Sequence, residues 1–134
     1  MNYGRYHIES EVGRGSMGVV YRAHDPSIDR TVALKVLRKD RVTSETFVKR
    51  FLKEAKAIGR LSHPNSVTVF DVGEDQGSIY IAMEFLEGES LQDVIDSREL
   101  GIKEVVDLGI QVAETLDYAH CKGVVHRDIK PSNL

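Results

Sequence analysis

The chain of 134 residues carries one cysteine, Cys121, so it cannot close an internal disulfide. It lacks a basic-then-apolar leader and any run of about 18 apolar residues, so neither a signal peptide nor a membrane-spanning helix is expected. It also lacks a basic excess. Eighteen Lys and Arg face 21 Asp and Glu, for a net charge of −3 and a pI near 5.9. A general binder of nucleic acid or of acidic membranes normally shows the opposite sign, clustered on one face, so neither partner is expected. There is no internal repeat and no low-complexity tract. These absences predict a reducing, cytoplasmic setting, for the chain alone or as the cytosolic part of a longer membrane-anchored protein. What remains, 41% hydrophobic and 29% charged residues, is the composition of an ordinary globular domain long enough to bury a core.

Hydrophobic periodicity divides the chain into a strand-rich part and a helical part. Tyr6–Val12 and Val19–His24 flank a glycine-rich turn, and Thr31–Leu37 is a third run rich in apolar and β-branched residues; together they predict an antiparallel meander. Ser44 precedes Glu45 as a helix N-terminus would. Phe47, Phe51, Ala55, Ile58 and Leu61 then recur at steps of three and four, which predicts an amphipathic helix ending before His63 and Pro64. Val67–Val72 and Ile79–Phe85 predict two more strands joined across GEDQG, whose glycines and aspartate suit a tight turn. Beyond Glu87 and Gly88 the period changes to helical, with a short helix near Leu91–Ser97 and a long one from about Ile102 to Cys121 that Gly123 is placed to end. The expected fold class is α+β, with a five-stranded antiparallel sheet and one helix over residues 1–86, then the first helices of a second lobe over 87–134.

GRGSMGVV places Gly13, Gly15, Gly18 and Val20 between two predicted strands. Glycines suit a loop whose amides approach phosphate oxygens, because a Cβ would hold the backbone off. In dinucleotide-binding folds the third glycine of such a pattern opens a helix, whereas strand-like VVYRAH follows here. An ordinary hairpin rich in turn glycines would have the same composition. The pattern GxxxxGK[ST] is absent, which excludes a P-loop.

Lys35 falls inside the apolar strand VALK, on the same face as Ala33, where an ammonium needs a counter-charge or a phosphate. Glu54 lies mid-helix beside the apolar stripe, able to point toward the sheet, although most helix glutamates are simply solvated. The last nine residues, HRDIKPSNL, gather His126, Arg127, Asp128, Lys130 and Asn133 on a short loop containing Pro131. Phosphoryl transfer to a hydroxyl needs a proton acceptor and a metal ligand, which Asp128 and Asn133 can supply.

In order and spacing, GRGSMGVV, VALK, the helix glutamate and HRDIKPSN resemble the protein kinase family, from about Tyr6 to the end of the chain. The likeness is to bacterial serine/threonine kinases of the eukaryotic-like type. It implies transfer of the ATP γ-phosphate to protein Ser and Thr hydroxyls with Mg2+. Lys35 would hold the α and β phosphates while paired to Glu54, under the flap of Gly13, Gly15 and Gly18. Val12, Val20 and Ala33 would line the nucleotide site, Met83 would stand at its back, and Glu84 to Leu86 would form the hinge that pairs with the adenine edge. Ser90 would contact ribose. Asp128 would accept the substrate proton, Lys130 would approach the γ-phosphate, and Asn133 would hold magnesium. His126 would be a structural histidine packed beneath the loop, and Arg127 would pair with a phosphorylated activation loop. His63–Asn65 reads as a connecting loop, and Cys121 as an inert thiol.

Kinases of this family continue past the position of Asn133 into DFG, an activation loop and APE. The sequence therefore predicts an incomplete catalytic domain, inactive by itself, with a noncatalytic nucleotide- or partner-binding module as the alternative. The apolar stripe of residues 102–121, covered in full-length kinases by later helices, predicts self-association.

Overall fold

The computed structural model describes residues 1–15, 18–37 and 45–134, apart from the side chains at 45, 47, 50 and 54. They fold as two compact units, one of residues 1–62 and 67–86, the other of 63–66 and 87–134.

The first unit is built on an antiparallel sheet of six strands, β1 (Asn2–Tyr3), β2 (Tyr6–Arg14), β3 (Gly18–Asp25), β4 (Arg30–Leu37), β5 (Val69–Asp75) and β6 (Ser78–Glu84), in the order β1-β2-β3-β4-β6-β5. The sixth strand, β1, is a two-residue element beyond the five expected; Gly4, at φ 53, turns it back onto β2. Alternation along β4 buries Val32, Leu34 and Val36 on one face, where they join Tyr6, Ala23, Tyr80 and Ala82. Tyr6 and Tyr80 meet edge to face with ring centroids 5.7 Å apart.

A polar set ties the two ends of this sheet together. Gly4 donates its N–H to Asp75 at 3.0 Å, Tyr6 donates its hydroxyl to Asp71 at 3.0 Å, and Arg5 pairs with Asp71 at 3.0 Å. Arg5 also pairs with the fully buried Asp25 at 3.1 Å, and Asp25 accepts the Ser27 N–H at 3.0 Å. Burial pushes the Asp25 carboxyl up, but the Arg5 and Ser27 bonds outweigh it and hold it below the ordinary value. Burial, then the Asp71 carboxylate, raise the Tyr6 phenol well above its usual range. The sheet is thus rolled, with β5 drawn toward β1 and β2.

The β5–β6 turn is tighter than GEDQG suggests. It consists of Gln76 and Gly77 alone, both at positive φ (49 and 73), the dihedral signs of a two-residue hairpin loop that suits the strand twist. Gly73 lies inside β5 instead, where a Cβ would run into the Tyr80 hydroxyl, so its smallness serves packing. Helix α1 (Glu45–Ile58) packs on β5 with Ala55 buried. It ends three residues before Leu61, because Arg60 and Leu61 close tighter turns onto the Ala57 and Ile58 carbonyls. The Ser44 cap and the side chain of Phe47 lie outside the described residues.

The second unit holds α2 (Leu91–Ser97), α3 (Ile102–Cys121) and a 3-10 turn at Pro131–Asn133. Glu104 accepts the Gly101 N–H at the start of α3 and a bidentate bond from Arg98, which hold its carboxyl at about 2. Gly123, at φ 76, ends α3 by donating to His120 O, and Val124 donates to Ala119 O. His63 packs on Tyr118 (centroids 5.3 Å apart) and accepts the Asn65 N–H at 3.1 Å. Ile102, Val105, Val106 and Ile110 of α3 are all more than half exposed. No described helix is long and apolar enough to cross a membrane.

Candidate active site

In the first unit, cross-strand pairing assembles one face from residues far apart in sequence. Val20 pairs with Lys35, Lys35 with Ile81, and Ala33 with Met83; partners in register share a face, as do alternate residues along each strand. Val20, Ala33, Lys35 and Met83 therefore line the face opposite the packed core, and all four are half-buried. Lys35 makes no ion pair among the described residues. Its expected partner, the Glu54 carboxylate, lies outside them, although the Glu54 backbone is in α1. A half-buried ammonium among Val20, Ala33, Ile81 and Met83 has the chemistry to take a phosphate.

The glycines have different reasons to be glycine. A Cβ on Gly13 or Gly15 would meet nothing, and neither residue needs a positive φ, so neither is demanded by the chain's own packing. Their open amide side fits a ligand that must approach closely. Gly18 differs, since a Cβ there would strike the Val36 carbonyl. It is required by the β3–β4 pairing, and it accepts the Gly15 N–H at 2.9 Å. Ser16 and Met17 lie outside the described residues. Val12 sits where two β2 residues oppose one of β3, a bulge that re-aims its exposed side chain.

At the end of β6, Glu84 is anchored twice to Thr68, donating its N–H to the Thr68 carbonyl at 2.8 Å and accepting the Thr68 N–H on its carboxylate at 3.2 Å. Thr68 was not singled out by sequence, and no local pattern marks it. Leu86 is 61% exposed, and its backbone has no hydrogen-bond partner among the described residues. Of the expected hinge, Leu86 thus has free polar groups while the Glu84 N–H is committed to the sheet.

In the second unit, Ser90 caps α2. Its hydroxyl bonds the Asp93 carboxylate at 2.6 Å and accepts the Asp93 N–H at 3.2 Å, while Asp93 accepts the Ser90 N–H. This capping box, readable from Ser90 and Asp93 three apart, gives the serine a structural task.

The HRDIKPSN loop brings three of its predicted residues together. Lys130 Nζ lies 3.2 Å from Asp128 Oδ2, and Asn133 Nδ2 donates to the Asp128 carbonyl at 2.8 Å and to its carboxylate at 3.3 Å. Pro131 opens the 3-10 turn that carries Asn133 back, and the Leu134 carbonyl accepts the Leu91 N–H at 2.8 Å. The Lys130 ammonium, helped by Asn133, holds the Asp128 carboxyl below the ordinary range. Arg127 adopts φ 67, a left-handed conformation that bulky residues take at a cost and that concentrates at functional loops. His126 is exposed rather than packed in a core, which corrects that expectation. It still shapes the loop, because its Nδ1 accepts the Asp128 N–H at 3.2 Å.

No cluster of three or more His, Cys, Asp or Glu stands ready for a metal among the described residues. The Asp128 carboxylate and the Asn133 amide oxygen are hard donors of the kind Mg2+ accepts when substrate phosphates complete its shell, so the residues present fit that ion.

Residues 6–134 match the protein kinase domain family. The chain is 45% identical over 133 residues to the serine/threonine-protein kinase pkn3 of Myxococcus xanthus, covering 97% of this chain and 24% of that protein. It is 41% identical over 132 residues to the serine/threonine-protein kinase PrkC of Bacillus subtilis, covering 98% and 20%. The crystal structure of the Mycobacterium tuberculosis PknI kinase domain superposes with a TM-score of 0.87 at 34% identity, over 99% of this chain and 55% of that one. The chain thus spans about a quarter or less of these curated relatives and about half of the solved domain.

Proposed function

Because the chain belongs to the protein kinase family, we propose that it carries the nucleotide-binding and catalytic-loop part of an ATP- and Mg2+-dependent serine/threonine protein kinase. Residues 1–86 act as the amino-terminal lobe and 87–134 begin the second lobe. The observation that carries this reading is the Asp128–Lys130–Asn133 cluster, a carboxylate, an ammonium and an amide on one short loop.

Bound ATP with its metal supplies the phosphoryl group and the neutralising charge. Asp128, ionised at neutral pH, orients the Ser or Thr hydroxyl of a protein substrate and receives its proton. Lys130 offsets charge developing on the transferred group, and Asn133 turns its amide oxygen to the metal. Lys35, paired with Glu54, fixes the α and β phosphates beneath Gly13, Gly15 and Gly18. Val12, Val20, Ala33 and Met83 enclose the base, Glu84 and Leu86 present the hinge backbone, and Ser90 adjoins the ribose. A cytosolic signalling role accompanies this reading, on the ground of the lone Cys121, and so does self-association through residues 102–121. Nothing in the described residues favours the noncatalytic alternative.

The test is phosphate transfer from ATP to a Ser/Thr peptide by a polypeptide that contains this chain and spans the whole kinase domain. Asp128→Asn and Lys35→Met should each lower kcat/KM by about 10²–10³. Undiminished transfer by the Asp128→Asn variant overturns the reading.

A further inference from the structure

Lys49, Lys53, Lys56 and Arg60 recur at steps of four, three and four along α1 and the turn that continues it. This spacing stacks all four on one helical face, opposite Phe51, Ala55 and Ile58. All four are exposed, and with Leu52 and Ala57 they line a hollow of about 460 Å³. None of the lining residues is acidic. Elsewhere Arg5, Arg14, Arg22, Arg98, Lys103 and Lys130 each lie within ion-pair distance of a carboxylate. Lys53, Lys56 and Arg60 have no such partner among the described residues. In a chain of net charge −3, Lys53, Lys56 and Arg60 thus set three cations side by side with no carboxylate partner among the described residues.

From this juxtaposition we infer that the outer face of α1 is a docking surface for an acidic protein segment. The eleven steps from Lys49 to Arg60, through α1 and the turn that continues it, span about 16 Å, the reach of about five extended residues. The floor is apolar, made of Leu52, Ala57 and the aliphatic stems of the lysines, so the segment it fits carries an apolar side chain between its carboxylates. A membrane surface fits less well. Interfacial helices hold aromatic and large aliphatic residues on the face opposite their cations and bury that face in lipid, whereas here the opposite face holds Ala55 buried against the protein. The surface makes no use of the nucleotide-binding face or of the Asp128 loop, so its test stands apart from phosphotransfer.

The experiment is fluorescence anisotropy of a labelled Glu-Glu-Leu-Glu-Glu-Leu peptide titrated with the purified chain, without nucleotide. Saturable binding is expected, weakening steeply as salt is raised through the physiological range. The Lys53→Glu/Lys56→Glu/Arg60→Glu variant should raise Kd by about tenfold or more, and the milder Lys53→Gln/Lys56→Gln variant by an intermediate factor, with circular dichroism unchanged for both. The Lys103→Glu/Lys122→Glu variant should bind as the parent does. The inference is overturned by any of four results: no saturable binding, equal binding by the triple variant, equal binding of the Gln-substituted peptide, or preferential binding to vesicles of phosphatidylserine and phosphatidylcholine.

Discussion

Lys130 holds its ammonium 3.2 Å from the Asp128 carboxylate, and that pairing extends the acid range over which the carboxylate stays ionised. With its carboxyl below the ordinary range, Asp128 is ionised throughout neutral and mildly acid solution. The acid limb of kcat/KM, measured in the whole kinase domain, should therefore lie below the ordinary carboxylate value of about 3.9. Lys130→Met should move that limb upward toward the ordinary value and lower kcat by about 10²-fold. A limb that stays in place when Lys130 is removed would show that another group titrates.

The glycine loop offers a separation of binding from folding. Gly15→Ala adds a methyl group to open space, so the urea midpoint should change by no more than about 0.5 kcal/mol in stability. Nucleotide affinity, read by titration calorimetry, should nevertheless fall. Gly18→Ala forces a methyl group against the Val36 carbonyl and should cost about 1–3 kcal/mol of stability. Equal stability losses in the two variants would contradict this division of labour.

Asp25 makes stability depend on acid. Its folded carboxyl lies below the ordinary value, so the unfolded chain binds the proton at higher pH than the folded one. The contribution is fully present above about pH 3.9 and is lost as pH falls through the lower folded value. Asp25→Asn weakens the Arg5 and Ser27 bonds and should cost about 1–3 kcal/mol at neutral pH. The gap between variant and parent in urea melts should narrow below pH 4; a gap independent of pH would remove Asp25 from the account.

The exposed row of Ile102, Val105, Val106 and Ile110 forms an apolar patch on α3. Light scattering of the purified chain should show mass rising with concentration, and Val105→Lys/Ile110→Lys should return it to monomer. A monomer at every concentration would dispose of self-association through this face.

Much of this architecture was legible locally. Alternation along VALK put Lys35 and Ala33 on one face, and Leu91–Ser97 and Ile102–Cys121 appear as read because the hydrophobic period and Gly123 agree. Local reading failed where a distant residue decides. Gly73 read as part of a turn because nothing nearby reveals that Tyr80 lies over it. Ser90, which the resemblance sets beside the ribose, also caps α2 through Asp93, a task legible from their spacing of three. The family resemblance implies a His126 packed beneath the loop, whereas in the second unit it is exposed. Thr68 and Asp71 attracted no notice, and Asp75 read only as a turn residue, since their partners Glu84, Tyr6 and Gly4 are far away in the chain.

The tie from Tyr6 to Asp71 spans 65 positions, and that from Gly4 to Asp75 spans 71. Contacts of such separation are made late, because the chain entropy of closing so large a loop must be spent before the contact gives anything back. During synthesis the first four strands can pair with one another as soon as they emerge, and Arg5 and Ser27 can already bond Asp25, yet the Gly4 N–H and the Tyr6 hydroxyl must wait for β5. The nascent chain is therefore most exposed to misfolding while α1 is being made, and it settles only when the Asp71 and Asp75 carboxylates arrive to close the roll.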